Sequence, residues 1–129
     1  MNKYYFILSI GILLFSCTND SQKKYAINHS AMIMQDLNKK DIFKYFPQDH
    51  FPPQEIRNLI SSILDTCNWG TKKGGLSLVQ HLQTLKSEEF RLTYDYQLNC
   101  GHLQFQFEYN INKDTPVFHY FFVRQLPIK

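Results

Sequence analysis

Long apolar runs are scarce in this 129-residue chain, and the one near its start, Tyr4 to Phe15, is short and broken by Ser9 and Gly11. A helix that crosses a bilayer needs about 20 apolar residues, so this stretch is too short to read as a stable span. A strong charge excess is missing as well. Fourteen Lys and Arg face eleven Asp and Glu, a formal +3, which is too weak for the electrostatic footprint of a nucleic-acid binder. The five histidines, His29, His50, His81, His102 and His119, show no short metal-ligand spacing such as H-x-x-x-H. No metal site and no cofactor are therefore expected. Cysteine is sparse: Cys17, Cys67 and Cys100 are all there is.

What the chain does have begins at residue 3. One positive charge, Lys3, precedes a short hydrophobic core, and the text turns polar from Thr18 to Lys24. This is the layout of a secretory signal. The junction Leu14-Phe15-Ser16-Cys17 resembles the lipobox of bacterial lipoproteins: an aliphatic residue three positions before the cut, a small one just before it, and a cysteine whose thiol takes the lipid. The resemblance implies that residues 1–16 are removed. Cys17 then becomes the acylated first residue, with palmitate among its expected acyl chains. The chain would be held on a bacterial membrane in the cell envelope, the outer membrane preferred to the inner. Cleavage leaves 129 − 16 = 113 residues, enough for one small domain with its own core. Losing Lys3 lowers the formal charge from +3 to +2. Residues 17–25 read as the lipidated cysteine and a flexible tether, and residues 26–129 as the domain. In an exported chain Cys67 and Cys100 are candidates for one disulfide; the alternative is a buried thiol and a turn residue.

Along the domain, Ile27, Ala31, Met34 and Leu37 recur at helical spacing. Asp41 is placed to cap a short second helix carrying Ile42, Phe43, Tyr45 and Phe46. Pro53 suits the first turn of a third helix, whose apolar face is Ile56, Leu59, Ile60, Ile63 and Leu64 and which ends near Cys67-Asn68-Trp69-Gly70, with Gly70 a candidate stop. The period then changes to two. Phe90, Leu92, Tyr94, Tyr96 and Leu98 alternate with polar residues, and after the turn Asn99-Cys100-Gly101 so do Leu103, Phe105, Phe107, Tyr109 and Ile111. A second turn at 112–115 leads into a strand from Pro116 to Leu126 that is apolar on both faces. This text predicts an antiparallel meander. Residues 75–86 fit either a helix or a fourth strand, and the strand reading is preferred.

Helices followed by consecutive strands make an α+β order, two to three N-terminal helices packed on a curved antiparallel meander of three to four strands. Residues 26–126 resemble the cystatin-like, nuclear-transport-factor-two-like superfamily, in particular its small bacterial domains of unknown function. The resemblance rests on Leu37-Asn38-Lys39-Lys40-Asp41-Ile42 between the first helices, on Trp69 and then Gly74-Gly75 before the sheet, and on Gly101-His102-Leu103-Gln104-Phe105-Gln106-Phe107. It implies a cone whose pocket lies between sheet and helices. It implies no activity, because one fold hosts many functions.

For chemistry inside such a cone a carboxylate or imidazole should point inward. The inward set Phe90, Leu92, Tyr94, Tyr96, Leu103, Phe105, Phe107 and Tyr109 contains none, while Asp95 and Glu108 have the opposite parity. No catalytic residue is expected. Tyr94, Tyr96, Phe105, Phe107 and Tyr120 are candidate pocket lining for a small hydrophobic ligand. On the last strand Phe118, Tyr120 and Phe122 are expected to point inward, leaving Val117, Phe121 and Val123 as a candidate interaction face for a second copy or an envelope protein. If Ile111 pairs with Pro116, His119 lies opposite Glu108 on the outward face. The sequence thus reads as a lipid-anchored, non-catalytic binding or assembly module, with a small enzyme using the cone pocket as the alternative.

Overall fold

The alternating text does become a sheet. The computed structural model describes residues 20–111 and 115–127. The expected signal segment 1–16, Cys17 and residues 112–114 of the second turn lie outside them. Four strands, β1 (Lys73–Gln83), β2 (Glu88–Leu98), β3 (Gly101–Asn110) and β4 (Val117–Leu126), pair antiparallel in the order β1-β2-β3-β4. The ambiguous segment is thus strand β1, and Ser77 is an extra residue in it, between the pairs Leu76–Tyr94 and Leu78–Thr93. Residues 20–36 form helix α1, and Pro53–Thr66 form α2 with proline in the first turn. Two helices on a four-stranded antiparallel sheet make the expected α+β architecture, consistent with a cystatin-like cone. Among the described residues no helix is long and apolar enough to cross a membrane.

Helix α1 corrects two expectations. It is already helical at residue 20 and buries Gln22 and Ala26, so residues 20–25 are not a tether. Its buried face is Ala26, Ser30, Ile33, Met34 and Leu37, while Ala31 is exposed and Ile27 half-buried. The stripe was hidden by Ser30, a polar residue at a core position. Its hydroxyl meets Tyr94 Oη at 2.7 Å and donates to the Ile27 carbonyl, which removes the penalty for burying it.

The residues that end the helices differ in part from the expected ones. Ile42–Tyr45 is a single 3-10 turn, and Asp41 does not cap it. Its carboxylate takes a hydrogen bond from Lys44 Nζ at 3.0 Å instead. Helix α2 stops at Thr66, at the start of the expected Cys67 to Gly70 terminus, and Cys67 rather than Gly70 ends it: it turns to extended backbone and is bridged to Cys100 with Cα atoms 5.0 Å apart, inside the disulfide range. The next residues form a 3-10 turn, Trp69–Thr71. Trp69 is buried and donates its Nε1–H to the Met34 carbonyl at 2.8 Å. Gly74 enters β1 with φ +132, where an added Cβ would lie 2.1 Å from the Asp95 carbonyl oxygen. Only glycine permits that approach.

The main correction concerns β4. Asn110 pairs with Val117 and Tyr109 with Phe118, as the expected hairpin requires, but Glu108 then pairs with Tyr120 and Phe107 with Phe121. His119 is the extra residue of a β-bulge. A bulge inverts the facing of everything beyond it. Phe121 is therefore core, 8% exposed, and Val123 sits half-buried opposite Phe105. Tyr120 and Phe122, expected inside, are 40% and 45% exposed. Val117 alone of the proposed face keeps its place, half-buried opposite Asn110.

Candidate functional site

The inner face of the sheet is filled by rings. Tyr94, Tyr96, Phe105 and Phe107 are all buried, with Trp69 packed edge-on against Tyr96 and Phe105, Phe121 edge-on against Phe107, and Phe118 stacked on Phe107. Phe46 and Phe51 close the cluster beside Phe118. These residues serve as core, and Tyr120 is not among them. A surface depression of about 490 Å³ opens over Asn38, Asp65, Asn68 and Asn99, with none of Tyr94, Tyr96, Phe105 or Phe107 in its wall.

Besides Ser30 and Tyr94, a second polar pair borders this interior. His29 Nδ1 lies 2.7 Å from Tyr109 Oη, its ring edge-on to those of Tyr109, Phe118 and Tyr45. Burial lowers the His29 pKa, opposed in part by a hydrogen bond to the Tyr45 backbone. Burial raises Tyr94 and Tyr109, and pushes Tyr96 up to about 12, which keeps all three hydroxyls neutral.

A half-buried histidine whose pKa is lowered makes stability depend on pH in a definite direction. The unfolded chain takes up its proton near the ordinary value of 6.5 while the folded chain resists. Stability is then complete above about pH 6.5 and falls as pH drops toward the lowered folded value. The urea midpoint of the wild type should decline between pH 7 and 5, and His29→Gln should flatten that decline. An unchanged slope in the variant would show that other groups set it.

Ionisable groups gather on the outer face. Glu89 and Arg91 of β2 and Glu108 of β3 share outward parity, and Arg91 pairs directly with Glu108. Arg91 Nη2 and Nε lie 2.7 and 2.8 Å from Glu108 Oε1, and Gln106 Nε2 donates to the same oxygen at 3.3 Å. Further along, Asp95 accepts from Gln104, which in turn accepts from Arg124. His119, the extra residue of the bulge, lies on this face as expected. It does not sit opposite Glu108 as expected, since Tyr120 takes that place. Even so, its Nε2 stands 3.3 Å from Glu89 Oε1, and Glu89, Glu108 and His119 bring one potential ligand atom each within 4.8 Å of one another. His50, from the loop before α2, lies with its ring 6.4 Å from that of His119. Strand parity alone could have joined Glu89 to Glu108 as diagonal neighbours. The hairpin length placed the imidazole on the same face, opposite Glu108, and nothing in the text announced the bulge that puts Tyr120 in that place.

Fold and site together define a small α+β domain with a filled aromatic interior and a polar outer sheet face edged by exposed aromatics. No family model, curated protein or solved structure matches the chain.

Proposed function

We propose that this chain is a lipid-anchored, non-catalytic binding or assembly module of the bacterial cell envelope, related to the cystatin-like, nuclear-transport-factor-two-like small domains. The anchor is supported by the text Leu14-Phe15-Ser16-Cys17 and by the Cys67–Cys100 disulfide, a bond suited to an oxidising compartment. The binding half is carried by one observation: beyond the bulge, Tyr120 and Phe122 stack at 6.4 Å on the outer face and stay exposed. Two large rings left in solvent are the material of an interface anchor, each withholding roughly 1.5–3 kcal/mol of burial. Partner contact thus moves from the expected Phe121 to Tyr120 and Phe122.

Mass spectrometry of protein extracted from membranes should find Cys17 as the acylated first residue, with Cys17→Ala left unprocessed. A soluble mature chain that starts elsewhere would overturn the anchor. In the same cells, a photo-crosslinking phenylalanine at position 122 should give discrete adducts that the same group at exposed Gln35 on α1 does not. Equal or absent adducts at the two positions would overturn the binding face.

A further inference from the structure

Glu89, Glu108 and His119 come from three neighbouring strands and converge on the outer face of the sheet, His119 as the extra residue of the β4 bulge. Two observations separate this group from an ordinary surface ion-pair patch. The first is that His119 Nε2 is buried yet has no hydrogen-bond partner; its 3.3 Å approach to Glu89 Oε1 lacks the alignment of a hydrogen bond. A buried polar atom left so is uncommon and calls for a reason. The second is spacing. A tetrahedral zinc ion with bonds of about 2.0–2.2 Å holds its donors about 3.4 Å apart, close to the separation already present between His119 and Glu89. The longest separation in the trio, 4.8 Å at most, closes by about 1.4 Å through rotation of glutamate side chains.

We propose that Glu89, Glu108 and His119 form a binding site for one divalent transition-metal ion, of which Zn²⁺ is the representative. Imidazole with two carboxylates suits such an ion; an all-oxygen shell would favour Mg²⁺ or Ca²⁺. Arg91 and Gln106 both donate to Oε1 of Glu108, which leaves Oε2 for the ion and fixes the carboxylate as outer-shell partners do. Arg91 also offsets one of the two carboxylate charges. The pocket then holds a net charge of −1 with neutral histidine, and +1 with the ion bound. Glu108 is the deepest donor, its side chain 12% exposed, whereas His119 at 26% borders solvent. Three protein donors leave at least one coordination position of a four-coordinate ion open on that side, and a water or a partner's side chain completes it.

The test uses the full chain in detergent, stripped with chelator and free of any affinity tag. Equilibrium dialysis and calorimetry with Zn²⁺ alone should give one ion per chain, and Co²⁺ should give visible d–d absorption. His119→Gln and Glu89→Gln should each weaken Zn²⁺ binding by more than about tenfold, the scale of losing even an outer-shell partner. His81→Gln, which removes the imidazole facing Glu88 at 2.6 Å, should bind as wild type does. Circular dichroism that superimposes on wild type keeps the two site variants interpretable, and if either fails to fold, the loss of the cobalt spectrum in the other decides. Binding that is absent, that survives both substitutions, or that follows His81 overturns the site. Mg²⁺ binding with equal strength overturns the choice of ion. None of these outcomes depends on Cys17 or on a partner, so the site stands or falls apart from the proposed function.

Discussion

Phe121→Asp is expected to abolish cooperative folding, while Phe122→Asp, one residue along, leaves the fold nearly untouched. Phe121 faces Phe107 across the β3–β4 ladder, with ring centroids of Phe107, Phe46 and Phe105 at 5.1, 5.4 and 6.1 Å. Removing such a ring costs roughly 3–5 kcal/mol, and the carboxylate would sit uncompensated among aromatics, which adds several more. Small domains have only about 5–15 kcal/mol to lose. Phe122 sits opposite Gln106 in solvent, where substitutions stay within roughly 0.5 kcal/mol. Urea unfolding followed by circular dichroism separates the two variants. The reverse order of damage would mean that strict alternation runs through β4 and that the bulge at His119 does not exist.

That contrast shows where the sequence was readable. The meander was legible because Phe90 to Leu98 and Leu103 to Ile111 repeat with period two, and their pairing follows from the two-residue turn at Asn99-Cys100. The start of β4 was legible too, since Tyr109 and Phe118 pair as the hairpin length demands. The parity of its second half was not. With apolar residues on both faces, sliding β4 by one residue exchanges Phe121 for Phe122 at little difference in hydrophobicity. The choice rests on the fit of Phe121 beside Phe46, a contact between segments 75 residues apart. The α1 stripe failed for another reason: Ser30 is polar by type and core by partnership with Tyr94. Of the candidate metal site, the text gave the parity of Glu89 and Glu108 and the outward facing of His119, and withheld the bulge that shifts its register. An irregularity of one residue therefore decides which aromatics of β4 face solvent.

The Cys67–Cys100 bond should supply the second large effect. The two residues are separated by 33 positions, and closing a loop of that length in the unfolded chain is worth roughly 3–4 kcal/mol. Its place in the fold adds a local consequence. Cys67 is the residue at which α2 ends, its N–H still bonded to the Ile63 carbonyl, and Cys100 lies in the β2–β3 turn. The bridge therefore pins the end of a helix to the sheet. Beside it Asn99 Oδ1 accepts from the Asn68 N–H at 2.7 Å, and Thr71 Oγ1 accepts from the Asn99 N–H at 3.2 Å. These bonds are exposed and span two turns, so they depend on the bridge to hold the turns together. Thiol labelling of the denatured, unreduced chain should find neither Cys67 nor Cys100 free. Reduction, or the double change Cys67→Ala and Cys100→Ala, should lower the urea midpoint sharply. In hydrogen exchange the amides of α2 should lose protection before those of β2 and β3, whose inward rings stay packed without the bridge. Equal midpoints for the oxidised and reduced chains would show that the apolar face Ile56, Ile60 and Ile63 holds α2 in place without help.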